Sequence, residues 1–121
     1  MERVVDLDQA AVEVATRMSG WRVGGLTVGE LTWRDHAIPW SQQFLTNRAR
    51  VGDPDSVGVT LARGEDQALE VVLYRGGWAD VDFMSGDDGG ALPAADITSA
   101  ADFGRRLDRW VAHVFGARPT G

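Results

Sequence analysis

VGVTLARGEDQALEVVLYRGGWADVDFM, residues 57–84, is the stretch whose reading decides the fold. Val57, Val59 and Leu61 alternate with Gly58, Thr60 and Ala62. Leu69, Val71 and Leu73 alternate with Glu70, Val72 and Tyr74, and Ala79, Val81 and Phe83 alternate with Trp78, Asp80, Asp82 and Met84. Successive side chains of a strand point to opposite faces, so each run predicts a strand with one apolar face. Gly64 to Gln67 has the length of a hairpin connection, and Gly76 with Gly77 permits a tight reversal. Three strands in this order form an antiparallel meander that buries one face.

Working outward, DLDQAAVEVATRM (residues 6–18) places Leu7, Ala11, Val14 and Met18 on a narrow stripe of helical period. Asp6 or Asp8 is a candidate N-cap and Gly20 a candidate stop. In residues 21–52, Leu26, Val28 and Leu31 to Trp33 suit one or two short strands, with Gly24, Gly25 and Gly29 at turns or bulges, and Pro39 suits the first position of a short helix through Phe44 and Leu45. Trp21, Trp33, Trp40 and Phe44 make this segment aromatic-rich, and its rings serve either as core or as anchors for a partner. Asp53, Pro54 and Asp55 predict a turn before the meander. GDDGG at residues 86–90 predicts a further turn, and residues 91–97 a fourth strand that Pro93 confines to an edge. Ser99 followed by Asp102 has capping-box spacing, and Phe103, Leu107, Trp110, Val111 and Val114 then follow helical spacing up to Gly116, with Pro119 beyond. The expected fold is α+β, an antiparallel β-meander of three to five strands flanked by an N-terminal helix and a C-terminal amphipathic helix. It forms one domain over residues 1–121, of which 117–121 read as a loose tail.

The chain of 121 residues is long enough for one core without cross-links. It has no cysteine, which removes disulfides, thiol nucleophiles and thiolate metal sites, and fits a cytoplasmic protein. MERVVDLDQA has no apolar leader region, and no run approaches the roughly 20 apolar residues that span a bilayer, so neither a targeting segment nor a membrane association is expected. The formal charge is −6, unevenly spread. Residues 53–102 carry eleven acids against Arg63 and Arg75, whereas residues 1–52 balance and residues 103–121 are basic. An acidic central block repels phosphate backbones and attracts cationic surfaces, so a nucleic-acid partner is disfavoured and a basic protein partner favoured.

Catalytic and metal patterns fail on spacing. Asp80, Asp82, Asp87 and Asp88 do not follow a calcium loop, because Met84 takes the fifth position and no Glu stands at the twelfth. Gly20, Gly24, Gly25 and Gly29 match neither phosphate-binding fingerprint. Ser41, near His36, lacks a nucleophile turn, and His113 sits within an amphipathic run. No cofactor and no enzymatic activity are expected. What remains is the polar face of the meander, where Trp78, Val72, Tyr74 and Met84 share the surface with Asp80 and Asp82. A solvated strand face seldom carries a Trp, a Tyr and a Met among carboxylates, so either the N-terminal aromatics cover it or a partner does.

The segments VGVTLAR, EVVLYRGGWADVD and ITSAADFGRRLDRWVAHVF, in this order over residues 57–115, resemble the TriTu family of immunity proteins of bacterial polymorphic toxin systems. Tyr74 stands where that family has a tryptophan, and residues 21–44 have no counterpart in it. The resemblance implies a non-catalytic protein that binds and neutralises a cognate toxin domain. The residues expected to meet that partner are Tyr74, Trp78, Asp80, Asp82, Asp87 and Asp88. The alternative is a small acidic chaperone or adaptor for a secreted protein, acting as a homodimer through the helix or the edge strand near Pro93.

Overall fold

The computed structural model of the protein describes residues 3–37 and 45–116. The α+β expectation holds, with one more strand than expected. Two helices, α1 (Leu7–Val23) and α2 (Ala100–Phe115), pack on one face of a six-stranded antiparallel sheet made of β1 (Thr27–Val28), β2 (Thr32–Asp35), β3 (Pro54–Arg63), β4 (Gln67–Tyr74), β5 (Trp78–Ser85) and β6 (Asp88–Ala91). The order is β1-β3-β4-β5-β6, and β2 shares the β3 edge with β1. The short strands from residues 27–35 lie end to end along β3, pairing Val28 with Leu61 and Trp33 with Val57.

The alternation written in residues 57–84 is the register of the sheet. Val57, Val59 and Leu61 on β3, Leu69, Val71 and Leu73 on β4, and Ala79 and Val81 on β5 are buried together with Leu7, Ala10 and Val14 of α1 and Phe103, Leu107, Trp110 and Val114 of α2. Phe103, Leu61, Leu69, Leu73 and Leu107 are the largest of the fully buried side chains. The two helices also touch across a polar seam, where Arg17 meets Asp108 at 2.8 Å and Glu13 at 3.1 Å. Burial of this one face drives the fold.

Four local expectations are corrected. α1 does not stop at Gly20 but runs to Val23 with Gly24 as its cap, because the extra turn brings Trp21 into the core. Burial of an indole outweighs the roughly 1 kcal/mol that an interior glycine costs a helix. Its stripe is accordingly Leu7, Ala10, Val14 and Trp21, with Ala11 and Met18 only half-buried. The expected turn at Asp53, Pro54 and Asp55 is instead the start of β3, where a proline in first position forfeits no ladder bond. The fourth strand lies at Asp88–Ala91 inside the expected glycine turn, which shrinks to Gly86 and Asp87. Residues 92–97 follow β5 through separate hydrogen bonds, Leu92 N–H to the Val81 carbonyl and Ile97 N–H to the Gly77 carbonyl, without regular pairing. Pro93 lacks a donor and Asp96 takes φ +56, so no ladder continues there.

Other readings stand as expected. Asp6 caps α1, accepting from the N–H groups of Asp8 and Gln9. Ser99 caps α2 by accepting from Asp102 N–H, while the Asp102 carboxylate takes the N–H of Thr98. Gly116, at φ +81, ends the helix. Of the aromatic rings that the sequence leaves open between core and partner anchor, Trp21 and Trp33 belong to the core, and Arg48 lies over the Trp33 ring at 5.2 Å. The short helix expected from Pro39, together with Trp40, Ser41 and Phe44, lies outside the described residues, as do residues 117–121. No helix among the described residues is long and apolar enough to cross a membrane.

Candidate protein-docking face

Since both helices take the same side of the sheet, the outward-pointing side chains of β3, β4 and β5 form a second face whose composition follows from the register. Thr32, Gly58, Val72 and Asp80 stand in one row across β2 to β5; Arg34, Ser56, Tyr74 and Trp78 in the next. Thr60, Glu70, Asp82 and Ala91 form a third row, and Ala68, Met84 and Gly89 a fourth. Thr60, Glu70, Asp80, Asp82 and Met84 are exposed, and Val72 and Tyr74 are half-buried. Gly58 lets the first row close up, since a Cβ there would lie 2.6 Å from the Thr32 hydroxyl.

The aromatic part of this face comes from the β4–β5 reversal. Gly77 at φ +91 closes the turn by donating to the Tyr74 carbonyl at 3.1 Å, and this sets Tyr74 directly opposite Trp78. Their rings stack with centroids 3.9 Å apart and 14° between planes. The Tyr74 hydroxyl donates to Asp80 at 3.2 Å. Partial burial, and after it the charge of Asp80, push the phenol above its ordinary pKa, so the proton that makes this bond is held at neutral pH. Trp78 is nevertheless 40 % exposed, a large ring fixed in place and left in contact with solvent.

Charge on the face is nearly all negative. Asp80 and Asp82 alternate along β5, and Glu70 stands directly across the strand pair from Asp82. Like charges in direct cross-strand register oppose folding, so their presence is not explained by stability. Arg34 is the one basic residue in these rows, at the β2 end.

Of the six residues expected to meet a partner, the structure brings Tyr74, Trp78, Asp80 and Asp82 together. Asp87 occupies the β5–β6 turn, and Asp88 pairs with Ser85, whose alternation places it on the helix side, with its carboxylate accepting the Gly89 N–H. Those two acids thus belong to the tip of the hairpin and not to the aromatic face. Glu70 joins the face instead, as its alternation with Leu69 and Val71 implies. Among the described residues no three His, Asp or Glu side chains converge as a metal site would require. His36 lies with Nδ1 3.7 Å from Asp55, and His113 packs edge-on against Phe83.

No family model, no curated protein and no solved structure matches the chain.

Proposed function

We propose that this protein is an immunity-type inhibitor, similar to the TriTu family, that neutralises a cognate toxin domain by docking its outer sheet face on a basic surface. The observation that carries the reading is a rigid, half-exposed Tyr74–Trp78 stack with Asp80 beside it and Glu70 and Asp82 further along the same face, on a sheet whose core lies wholly on the other side. An aromatic ring presented at low entropic cost is the usual centre of a binding patch, and the surrounding carboxylates speed the approach of a cationic partner and select for it. The inhibitor needs no catalytic group of its own and acts in the cytoplasm of the cell that makes the toxin.

The test reverses the field without touching the core. Asp80→Arg/Asp82→Arg is expected to abolish protection of cells expressing the toxin domain and to weaken its binding at least about a hundredfold, with Tm changed by no more than a few degrees. Undiminished protection by a folded variant overturns the reading. The alternative, a dimeric acidic chaperone or adaptor, draws on β6, all four residues of which are exposed at the sheet edge. Gel filtration separates the two: a stable dimer that binds an unfolded export segment and ignores the toxin favours the adaptor.

A further inference from the structure

Beside Trp78 the surface sinks into a groove of about 380 Å³ lined by Val4, Gly77, Trp78, Ala95, Asp96 and Ile97. We infer that this groove is an arginine pocket, which takes the side chain of one arginine from the basic partner of the outer face. The inference rests on the proposed docking face and adds to it a particular contact.

The walls fit that side chain part by part. Val4 is 46 % exposed and is delivered to the rim because its N–H, with that of Val5, donates to the Arg75 carbonyl at the base of the β4–β5 turn. Val4, Ala95 and the Trp78 ring offer apolar surface for a three-methylene stem. Trp78 supplies an aromatic ring to the lining, and a planar guanidinium stacks on tryptophan better than an ammonium does. Among the described residues Asp96 is the only charged one in the lining, and a carboxylate is the group that a guanidinium fork pairs with. Neutral and acidic side chains find no such complement there.

The groove is also held in shape before anything binds. Arg106 on α2 donates to the Ala95 carbonyl at 2.7 Å and to the Asp96 carbonyl at 3.0 Å, and Asp102 in turn holds Arg106 and the N–H of Thr98. Gly77 and Ile97 are tied by a 2.8 Å backbone bond across the floor. Asp96 itself is the only non-glycine at positive φ among the described residues, a left-handed corner that aspartate tolerates better than most residues and that fixes the course of the chain along the groove. Tyr74 covers one side of the Trp78 ring and prevents it from folding away. A prebuilt cleft costs a partner little ordering on binding.

The probe is a capped Gly-Arg-Gly peptide titrated into the full chain and followed by amide and indole N–H shifts in two-dimensional NMR. Saturable shifts are expected at Val4, Gly77, Asp96, Ile97 and the Trp78 indole. The uncharged citrulline analogue is expected to give none, and Gly-Lys-Gly to bind about threefold weaker or worse. Asp96→Asn retains the left-handed backbone, since Asn tolerates it as Asp does, and should weaken the peptide about three- to fivefold; Glu65→Gln, exposed in the β3–β4 connection at the far end of the sheet, should leave it unchanged. Shifts scattered over all the acids, equal binding of the citrulline or lysine peptide, or an indifferent Asp96→Asn would each overturn the pocket. The two readings fail separately. Loss of toxin binding on reversal of Asp80 and Asp82, with no peptide in the groove, removes the pocket and keeps the face; a groove that takes the peptide while the reversal leaves toxin binding intact does the opposite.

Discussion

Replacing Asp82 by lysine should make the free protein more stable while making it a poorer binder. Asp82 faces Glu70 across the β4–β5 pair, both are exposed, and Asp80 lies two residues along the same face. Opposed like charges at this spacing cost about 0.2–1 kcal/mol, and an opposed ion pair returns a similar amount, so Asp82→Lys should gain roughly 1 kcal/mol. For a domain of this size that raises Tm by about 4 °C. Asp82→Asn, which removes the repulsion and adds no attraction, should give about half as much. The assay is differential scanning calorimetry in low salt and again in 1 M NaCl, where a Debye length of about 3 Å should erase most of the gain. A double-mutant cycle with Glu70→Gln then isolates the pair: Asp82→Asn and Glu70→Gln should each relieve the same repulsion, so the double variant should gain less than their sum. Strict additivity, a gain that survives high salt, or a fall in Tm would refute the claim that Glu70 and Asp82 oppose each other. Toxin binding measured on the same samples should fall as stability rises.

Gly77→Ala should cost about 2–3 kcal/mol and lower Tm by about 10 °C. The φ of +91 penalises any side chain, and the new Cβ would lie 2.7 Å from the Ile97 carbonyl and so disturb the bond that ties residues 92–97 to β5. A loss under about 2 °C would mean that this corner yields freely. Acid should unfold the protein through carboxyls that titrate low in the native state. Asp35 is held below the ordinary carboxylate range chiefly by the N–H groups of Ala37 and Gly52, Asp102 chiefly by Thr98 N–H, and Asp8 chiefly by Arg48. Because the folded value is depressed in each, its contribution is complete above the unfolded value near 3.8 and disappears as pH falls through the folded one. Thermal melts should therefore be level from neutral pH to about 5 and fall steeply below 4, and Asp35→Asn should lower Tm at pH 7 while flattening that acid limb. An unchanged slope would remove Asp35 from the account.

Residues 57–84 were legible because two constraints coincide in them. Strict alternation sets which side of each strand is buried, and the connections at Gly64 and Gly77 set the pairing, so Tyr74 meets Trp78 in the structure as the text of the sequence requires. α2 was legible for the same reason, with the Ser99 cap, an apolar stripe and Gly116 all agreeing. Where a single local signal stood alone it was overruled by burial. Gly20 looked like a stop, but Trp21 gains more by entering the core than the helix loses at a glycine. The glycines of residues 86–90 looked like a loop, yet Gly89 and Gly90 pair with Met84 and Phe83 because a hairpin needs only Gly86 and Asp87 to reverse. Asp87 and Asp88 were grouped with Asp80 and Asp82 by nearness in sequence, whereas parity and the turn separate them. Val4 and Asp96 could not have been read from sequence, since they reach the side of Trp78 only through backbone hydrogen bonds to Arg75 and from Arg106.

On the helix side of the sheet most local rules agree with one another: apolar faces meet, both helix starts are capped, and the polar seam between the helices is paired, although buried Arg75 Nε and Asp55 Oδ1 approach only to 4.0 Å. On the outer side two of them are broken along one strand. Glu70 faces Asp82, and at the start of the same strand a stacked Trp78 is left 40 % exposed. Each departure costs stability, and neither repairs the other. Random drift would scatter such costs over the surface, while a requirement to bind something gathers them where the partner sits, because only there does a second free energy offset them. The exposed Trp78, with the opposed Glu70 and Asp82 two rows along the same face, is the reason for placing the docking centre there, and it explains why Asp82→Lys, which relieves the fold, should also impair binding.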